Sequence, residues 1–83
     1  MGKLEKILGQ ILMAGSDQNI AFDDLVYLLE GMGFEKRIKG GHHLFSKNGV
    51  EEIVNIQPAG NKAKPYQVKQ VRATIMKYHL AGD

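Results

Sequence analysis

The stretch FEKRIKGGHHLFSKNGVEEIVNIQ, residues 34–57, decides the fold. Apolar and polar residues alternate along much of it, the pattern of half-buried strands, and turn residues interrupt it at Gly40-Gly41 and at Lys47-Asn48-Gly49. Three strands are expected, Phe34–Lys39, His42–Ser46 and Val50–Gln57. Asn48-Gly49 is a strong hairpin signal because both residues tolerate positive φ. Adjacent strand residues point to opposite faces. His42 and His43 therefore cannot do the same job: one faces the core side or a helix, and the other faces outward.

On either side of this stretch the period lengthens. Leu4, Ile7, Leu8, Ile11 and Leu12 form one stripe of an amphipathic helix, Lys3 to Met13, which Gly15, Ser16 and Asp17 stop. A second helix is expected after Phe22, with Asp23 as N-cap and a Phe22–Tyr27 staple. Leu25, Leu28, Leu29 and Met32 supply its buried face, and Gly31 or Gly33 ends it. Residues 58–65 read as a loop with two lysines, and a last helix runs from about Tyr66 to Leu80. Its Val68, Val71, Ile75 and Tyr78 share a narrow arc for the sheet, while Lys69, Arg72 and Lys77 lie around the other side. The order is α-α-β-β-β-α, an α+β domain in which Gly15–Asn19 is the only flexible joint.

Composition narrows the function classes. The chain has 83 residues, of which 43% are hydrophobic and 24% charged, and this balance excludes a disordered chain. No apolar run approaches the roughly 18 residues needed to span a bilayer. Charges separate the N-terminal apolar positions, unlike a signal peptide, so a cytoplasmic location is expected. The absence of cysteine excludes a disulfide scaffold, a cysteine-based zinc finger and a thiol nucleophile. The net charge of +2 hides an imbalance. Residues 1–35 carry two lysines against six carboxylates, net −4, and residues 36–83 carry nine basic side chains against three carboxylates, net +6. Such asymmetry points to nucleic-acid contact; the plainer reading is two solvated faces of opposite sign.

Chemistry concentrates around the histidines. A metal site needs three or four converging ligands, and only His79 and scattered carboxylates remain to join one member of the pair, so no cofactor is expected. Ser16 and Ser46 lack a nucleophile-elbow setting, and no Walker-type phosphate loop exists. A histidine among lysines and arginines instead suits RNA cleavage. RNA brings its own nucleophile, the 2′-hydroxyl, and needs only a proton acceptor or donor plus positive charge near the phosphorus. The plainer reading is a surface histidine in a hairpin. Tyr66 stacks on a base or packs, and His79 places favourable charge at a helix C-terminus.

At this point the residues resemble a family. Leu28-Leu29-Glu30-Gly31-Met32-Gly33-Phe34, Lys39-Gly40-Gly41-His42-His43-Leu44-Phe45, Val54-Asn55-Ile56-Gln57-Pro58 and the stretch from Lys62 to Arg72 follow the order and spacing of the HicA toxins, or YcfA-like proteins, which are small RNA-cleaving partners of HicB antitoxins. The resemblance covers Leu25 through Leu80, about two-thirds of the chain. It implies a fold like a double-stranded-RNA-binding domain (dsRBD-like), with three antiparallel strands and helices packed on one face. It also implies ribosome-independent mRNA cleavage, growth arrest and neutralisation by a HicB-type antitoxin that covers the site. The family's catalytic histidine follows the glycine-containing turn and corresponds to His42. On that reading the RNA-contacting positions are Lys36, Lys39, Gly41, His43, Lys62, Lys64, Lys69 and Arg72, with His43 either structural or assisting His42. Gly41 stands where the family commonly has serine. Residues 1–15 form a helix additional to the family unit at 20–80, within a single domain of 1–83. Two other readings remain: a non-catalytic dsRBD-like RNA-binding module, and a protein-interaction domain whose basic face meets an acidic partner.

Overall fold

Strands form where the alternation predicts them. In the computed structural model, which describes residues 2–15 and 17–81, β1 (Glu35–Lys39), β2 (His42–Lys47) and β3 (Val50–Ile56) pair antiparallel in the order β1-β2-β3. Gly40 and Gly41 both take positive φ, 55° and 85°, as a type I′ hairpin requires, and Lys39 pairs with His42 across them. At the second hairpin only Gly49 takes positive φ, 89°, so the Asn48 tolerance is not used. Lys47 pairs with Val50 but Phe45 pairs with Val54, so Ser46 faces three residues of β3 and the register shifts by two. An even shift keeps every side chain on its face. Phe45, Val54 and Ile56 accordingly all point into the core, where each is fully buried.

Three helices cover that face: α1 (Lys3–Met13), α2 (Phe22–Gly31) and α3 (Pro65–Lys77). Ile7 and Ile11 of α1 join Leu25, Leu28 and Leu29 of α2 and Val68, Val71 and Ile75 of α3 in one core cluster. The α1 stripe thus packs within the domain, with Leu4 and Leu8 partly buried at its margin. The approach of α1 to α2 is close: a Cβ on Gly31 would lie 2.6 Å from the Leu4 side chain. Among the described residues no helix is long and apolar enough to cross a membrane.

Four boundaries differ from the sequence reading. First, Asp17–Asn19, expected within a flexible joint, is a fastened turn. Asp17–Asn19 forms a 3-10 turn, and the Arg72 guanidinium donates to both Asp17 carboxylate oxygens, each at 3.0 Å, and to the Ile11 carbonyl at 2.9 Å. One side chain of α3 therefore fastens both the turn and the last turn of α1. Ser16, expected among the stop residues, lies outside the described residues, and α1 ends on Ala14 in the left-handed region (φ 59°).

Second, α2 starts at Phe22 with Ala21 as N-cap, and Asp23 sits in the first turn, where its charge favours the helix N-terminus. The start is set by backbone pairing instead of a side-chain cap. Residues 58–65 are not a plain loop but carry a small hairpin, β4 (Pro58–Ala59) and β5 (Lys62–Ala63), which is the third difference. Phe22 N–H donates to the Asn61 carbonyl at 3.0 Å, and Ala63 N–H donates to the Ile20 carbonyl at 2.9 Å. The Phe22 ring is buried against His43, while Tyr27 is exposed with the Lys3 ammonium 4.7 Å from its ring centre, so the expected staple does not form.

Fourth, α3 stops at Lys77 instead of Leu80. His79 is left-handed (φ 54°), its N–H donates to Met76, and Leu80 N–H donates to Ile75 at 2.9 Å. This is the Schellman pattern, which turns Leu80 back onto the core. The end of α2 repeats it with Gly33 (φ 95°) and a 3.1 Å bond from Phe34 N–H to the Leu29 carbonyl.

Hydrogen bonds of the fold oppose the protonation of two carboxylates. The hydrogen bond from Arg72 holds the Asp17 carboxyl below its usual range. Hydrogen bonds from Lys77 and then Tyr78 push Glu52 down to about 2. Both groups bind protons less readily folded than unfolded, so their stabilisation is complete above the ordinary carboxylate range and is lost as pH falls toward about 2. Thermal melts between neutral pH and pH 2 should therefore show a steep acid limb that Glu52→Gln flattens. Arg72→Met should lower stability by about 2–4 kcal/mol in urea unfolding, because it strands the shielded Asp17 charge.

Candidate active site

The two histidines divide between the faces of the sheet. Ile38, His43 and Ile56 meet across the strands on the helical side, and His43 is wedged edge-on against Phe22 with ring centres 4.9 Å apart. Its Nδ1 is buried without a hydrogen-bond partner. His42 points the other way, onto the open face, and is exposed.

On that face β3 presents two amides to the imidazole. Beyond the bulge Leu44 pairs with Asn55, so in the same register His42 lies across from Gln57. Asn55 Oδ1 is 3.3 Å from His42 Nδ1, and Gln57 Nε2 is 3.1 Å from Nδ1 and 3.2 Å from Nε2. The other end of the Gln57 amide, Oε1, accepts from the Lys64 ammonium at 3.2 Å. Gln57 backbone N–H donates to Gln67 Oε1 at 2.8 Å, and Gln67 is almost fully buried. Tyr66 stands beside this group at the start of α3 with 62% of its surface exposed, its hydroxyl accepting from Gln67 Nε2 at 3.5 Å. The hairpin β4–β5 leads directly into Lys64, the N-cap of α3, and so sets the height of this rim.

The remaining sequence-selected positions fall in different places. Lys39 is directly across the Gly40-Gly41 turn from His42, on the same face and exposed. Gly41 forms that turn with no neighbour within 4 Å of where a Cβ would be. Lys64 is half-buried and joined to His42 through Gln57. Lys36 is on the opposite face from His42, 3.5 Å from the Glu30 carboxylate. Lys62 and Lys69 are exposed, with no hydrogen bond to the His42 group. Arg72 is occupied by Asp17 and Ile11. Among the described residues no three His, Asp or Glu side chains gather as metal ligands would.

Asn55, Gln57 and Gln67 were not among the sequence-selected positions. The signal for two of them lies in Val54-Asn55-Ile56-Gln57: with Val54 and Ile56 facing the core, both amides must share the open face with His42. As a unit the cluster offers a solvent-facing imidazole, two amides, a cation and an aromatic ring, which suits proton transfer next to a bound anion.

A family model described as "HicA toxin of bacterial toxin-antitoxin" matches residues 22–78, more than half of the chain. The match runs from the first residue of α2 to the C-cap of α3 and includes every side chain of the cluster. No curated protein and no solved structure gives a significant match.

The turn that presents His42 makes one demand that a stability measurement reads. Space at Gly41 is open but its φ of 85° is strained for an L side chain. Gly41→Ala should therefore cost about 1–2 kcal/mol in urea unfolding, without loss of the folded state.

Proposed function

Because the chain belongs to the HicA toxin family of bacterial toxin–antitoxin systems, we propose that it is a metal-independent endoribonuclease that cleaves mRNA with His42 as its general acid or base. The observation that carries this reading is the setting of His42: exposed on the open face of the sheet, flanked by Asn55 and Gln57, with Lys64 one side chain away and Lys39 across the turn.

The chemistry asks little of the protein. The 2′-oxygen of one nucleotide attacks the adjacent phosphorus, and the bond from phosphorus to the 5′-oxygen of the next nucleotide breaks. The 2′-hydroxyl gives up its proton and the departing 5′-oxygen takes one, which leaves a 2′,3′-cyclic phosphate and a 5′-hydroxyl. His42 handles a proton in this exchange. Lys64 and Lys39 offset the negative charge that builds on the phosphoryl oxygens. No step needs a metal, because the nucleophile comes from the RNA.

The proposed RNA track is narrower than the nine-residue set. Lys39, Gly41, His42 and Lys64 border the open face, with Lys62 close to Lys64 in sequence and Tyr66 offering a ring on which a base can stack. Lys69 adds long-range attraction from α3. Arg72 and His43 contribute through the fold, Arg72 by its grip on Asp17 and His43 by its contact with Phe22. Lys36 lies on the far face beside Glu30. The partner is a HicB-type antitoxin that covers the open face, and the site of action is the cytoplasm, where mRNA is found.

Expression in bacteria without an antitoxin should arrest growth, and His42→Ala at matched protein level should restore it; equal growth with both would sink the reading. Purified protein should cut mRNA on a gel without added metal. Salt-sensitive RNA binding with no cleavage would support the RNA-binding module instead. In binding titrations Lys64→Ala should weaken RNA affinity and reduce the salt slope by about one, whereas Lys36→Ala should change neither.

A further inference from the structure

We propose that Asn55 and Gln57 are positioning residues that hold His42 as a neutral imidazole with its proton on Nδ1, which makes Nε2 the proton acceptor and His42 the base of the cleavage step. The inference rests on the endoribonuclease reading for its consequence, but not for its geometry.

The assignment follows from which groups can only donate. An ammonium has no acceptor, so the Gln57 atom that meets Lys64 Nζ at 3.2 Å must be the carbonyl oxygen. That fixes the amide: its NH2 end faces the imidazole. A ring nitrogen that faces this NH2 group must offer a lone pair. In a neutral imidazole only one nitrogen has one, and the other carries a hydrogen that seeks an acceptor. Asn55 Oδ1 is placed at Nδ1, 3.3 Å away, and supplies that acceptor. The Nδ1–H form satisfies two of the three contacts, Nδ1–H donating to Asn55 Oδ1 and Gln57 NH2 donating to Nε2 at 3.2 Å, whereas the Nε2–H form satisfies only the 3.1 Å contact of Gln57 NH2 with Nδ1. The Nδ1–H form is the less common neutral form of histidine in water, so the protein has to select it.

Gln57 is itself held at both ends. Its backbone N–H is bound by Gln67 Oε1, whose side chain is buried between α3 and the sheet, and its carbonyl oxygen is bound by Lys64. The charged groups around the ring are cations: Lys64 through Gln57 and Lys39 across the turn. No carboxylate among the described residues is hydrogen-bonded to the imidazole. When a 2′-hydroxyl approaches, it replaces the Gln57 NH2 at Nε2 and gives its proton to that nitrogen. Asn55 continues to accept from Nδ1–H of the resulting imidazolium. The freed Gln57 NH2 stays beside the phosphate, next to Lys64.

Two-dimensional nitrogen–proton spectra of the full chain, with histidine rings labelled, report the tautomer directly and need no RNA. His42 should appear as the Nδ1–H form at a pH where it is neutral. Gln57→Leu and Asn55→Leu should each move it toward the Nε2–H form, while the signals of His43 and His79 stay in place. A wild-type His42 in the Nε2–H form, or one that neither substitution shifts, overturns the inference whether or not the protein cleaves RNA. In cleavage assays Gln57→Leu should lower kcat about 10- to 100-fold with KM little changed, and Gln57→Asn should recover less than a full rate. A loss confined to KM would assign Gln57 to RNA binding and overturn the positioning role. If neither protein cleaves RNA but the tautomer shift is seen, the endoribonuclease reading fails and the geometry of His42 stands.

Discussion

The pairing of β2 with β3 supports both sides of the molecule at once. Its inward side chains, Phe45, Val54 and Ile56, are the floor of the hydrophobic core. Its outward side chains, His42, Asn55 and Gln57, are the candidate site. The two sets alternate residue by residue, so the burial that fixes the register also fixes what meets His42. A slip of one residue would expose Phe45 and bury the imidazole. The two-residue shift at Ser46 does neither, which is why the bulge is compatible with both the core and the site.

The charge asymmetry of the sequence serves two purposes that a sum cannot separate. Asp17 and Glu30 from the acidic half meet Arg72 and Lys36 from the basic half, and these contacts join the helical layer to α3 and to the edge strand. Lys77 is paired as well, with Glu52 of β3. Because Arg72 and Lys36 are paired with carboxylates of the other half, the positive charge left unpaired on residues 36–83 is smaller than +6 suggests. It is carried by Lys39 and Lys64 beside His42, by Arg37 on the same face of the sheet, and by Lys47, Lys62 and Lys69 elsewhere in the same half of the chain.

Much of the fold was legible because it is written in local periodicity. The α1 stripe, the three strands and the Gly40-Gly41 turn all follow from spacing and from the conformational needs of glycine. The boundaries that differed are those set by distant partners. The start of α2 depends on Asn61, the order of Asp17–Asn19 depends on Arg72, and the end of α3 depends on Leu80 finding the core. His42 was legible as a candidate from its turn and its cationic neighbours. The opposite facing of His42 and His43 followed from strand alternation, although which of them faced outward did not. Asn55 and Gln57 were harder to see, since an amide in a strand carries no functional mark until its cross-strand neighbour is known. Arg72 shows the reverse case: on a helical wheel it belongs to a basic face, yet its partner lies 55 positions away and takes it out of that face.

The small hairpin β4–β5 ties these observations together. Its backbone holds Ile20 and Phe22 at the entrance of α2, and its end becomes Lys64 at the entrance of α3. Phe22 in turn backs His43, the neighbour of His42, while Lys64 orients Gln57 in front of it. The imidazole is thus braced from behind and in front by two parts of one clasp, eight residues long with its flanks. A displacement of this one clasp therefore shifts both supports of the imidazole together, with no contact to the histidine itself.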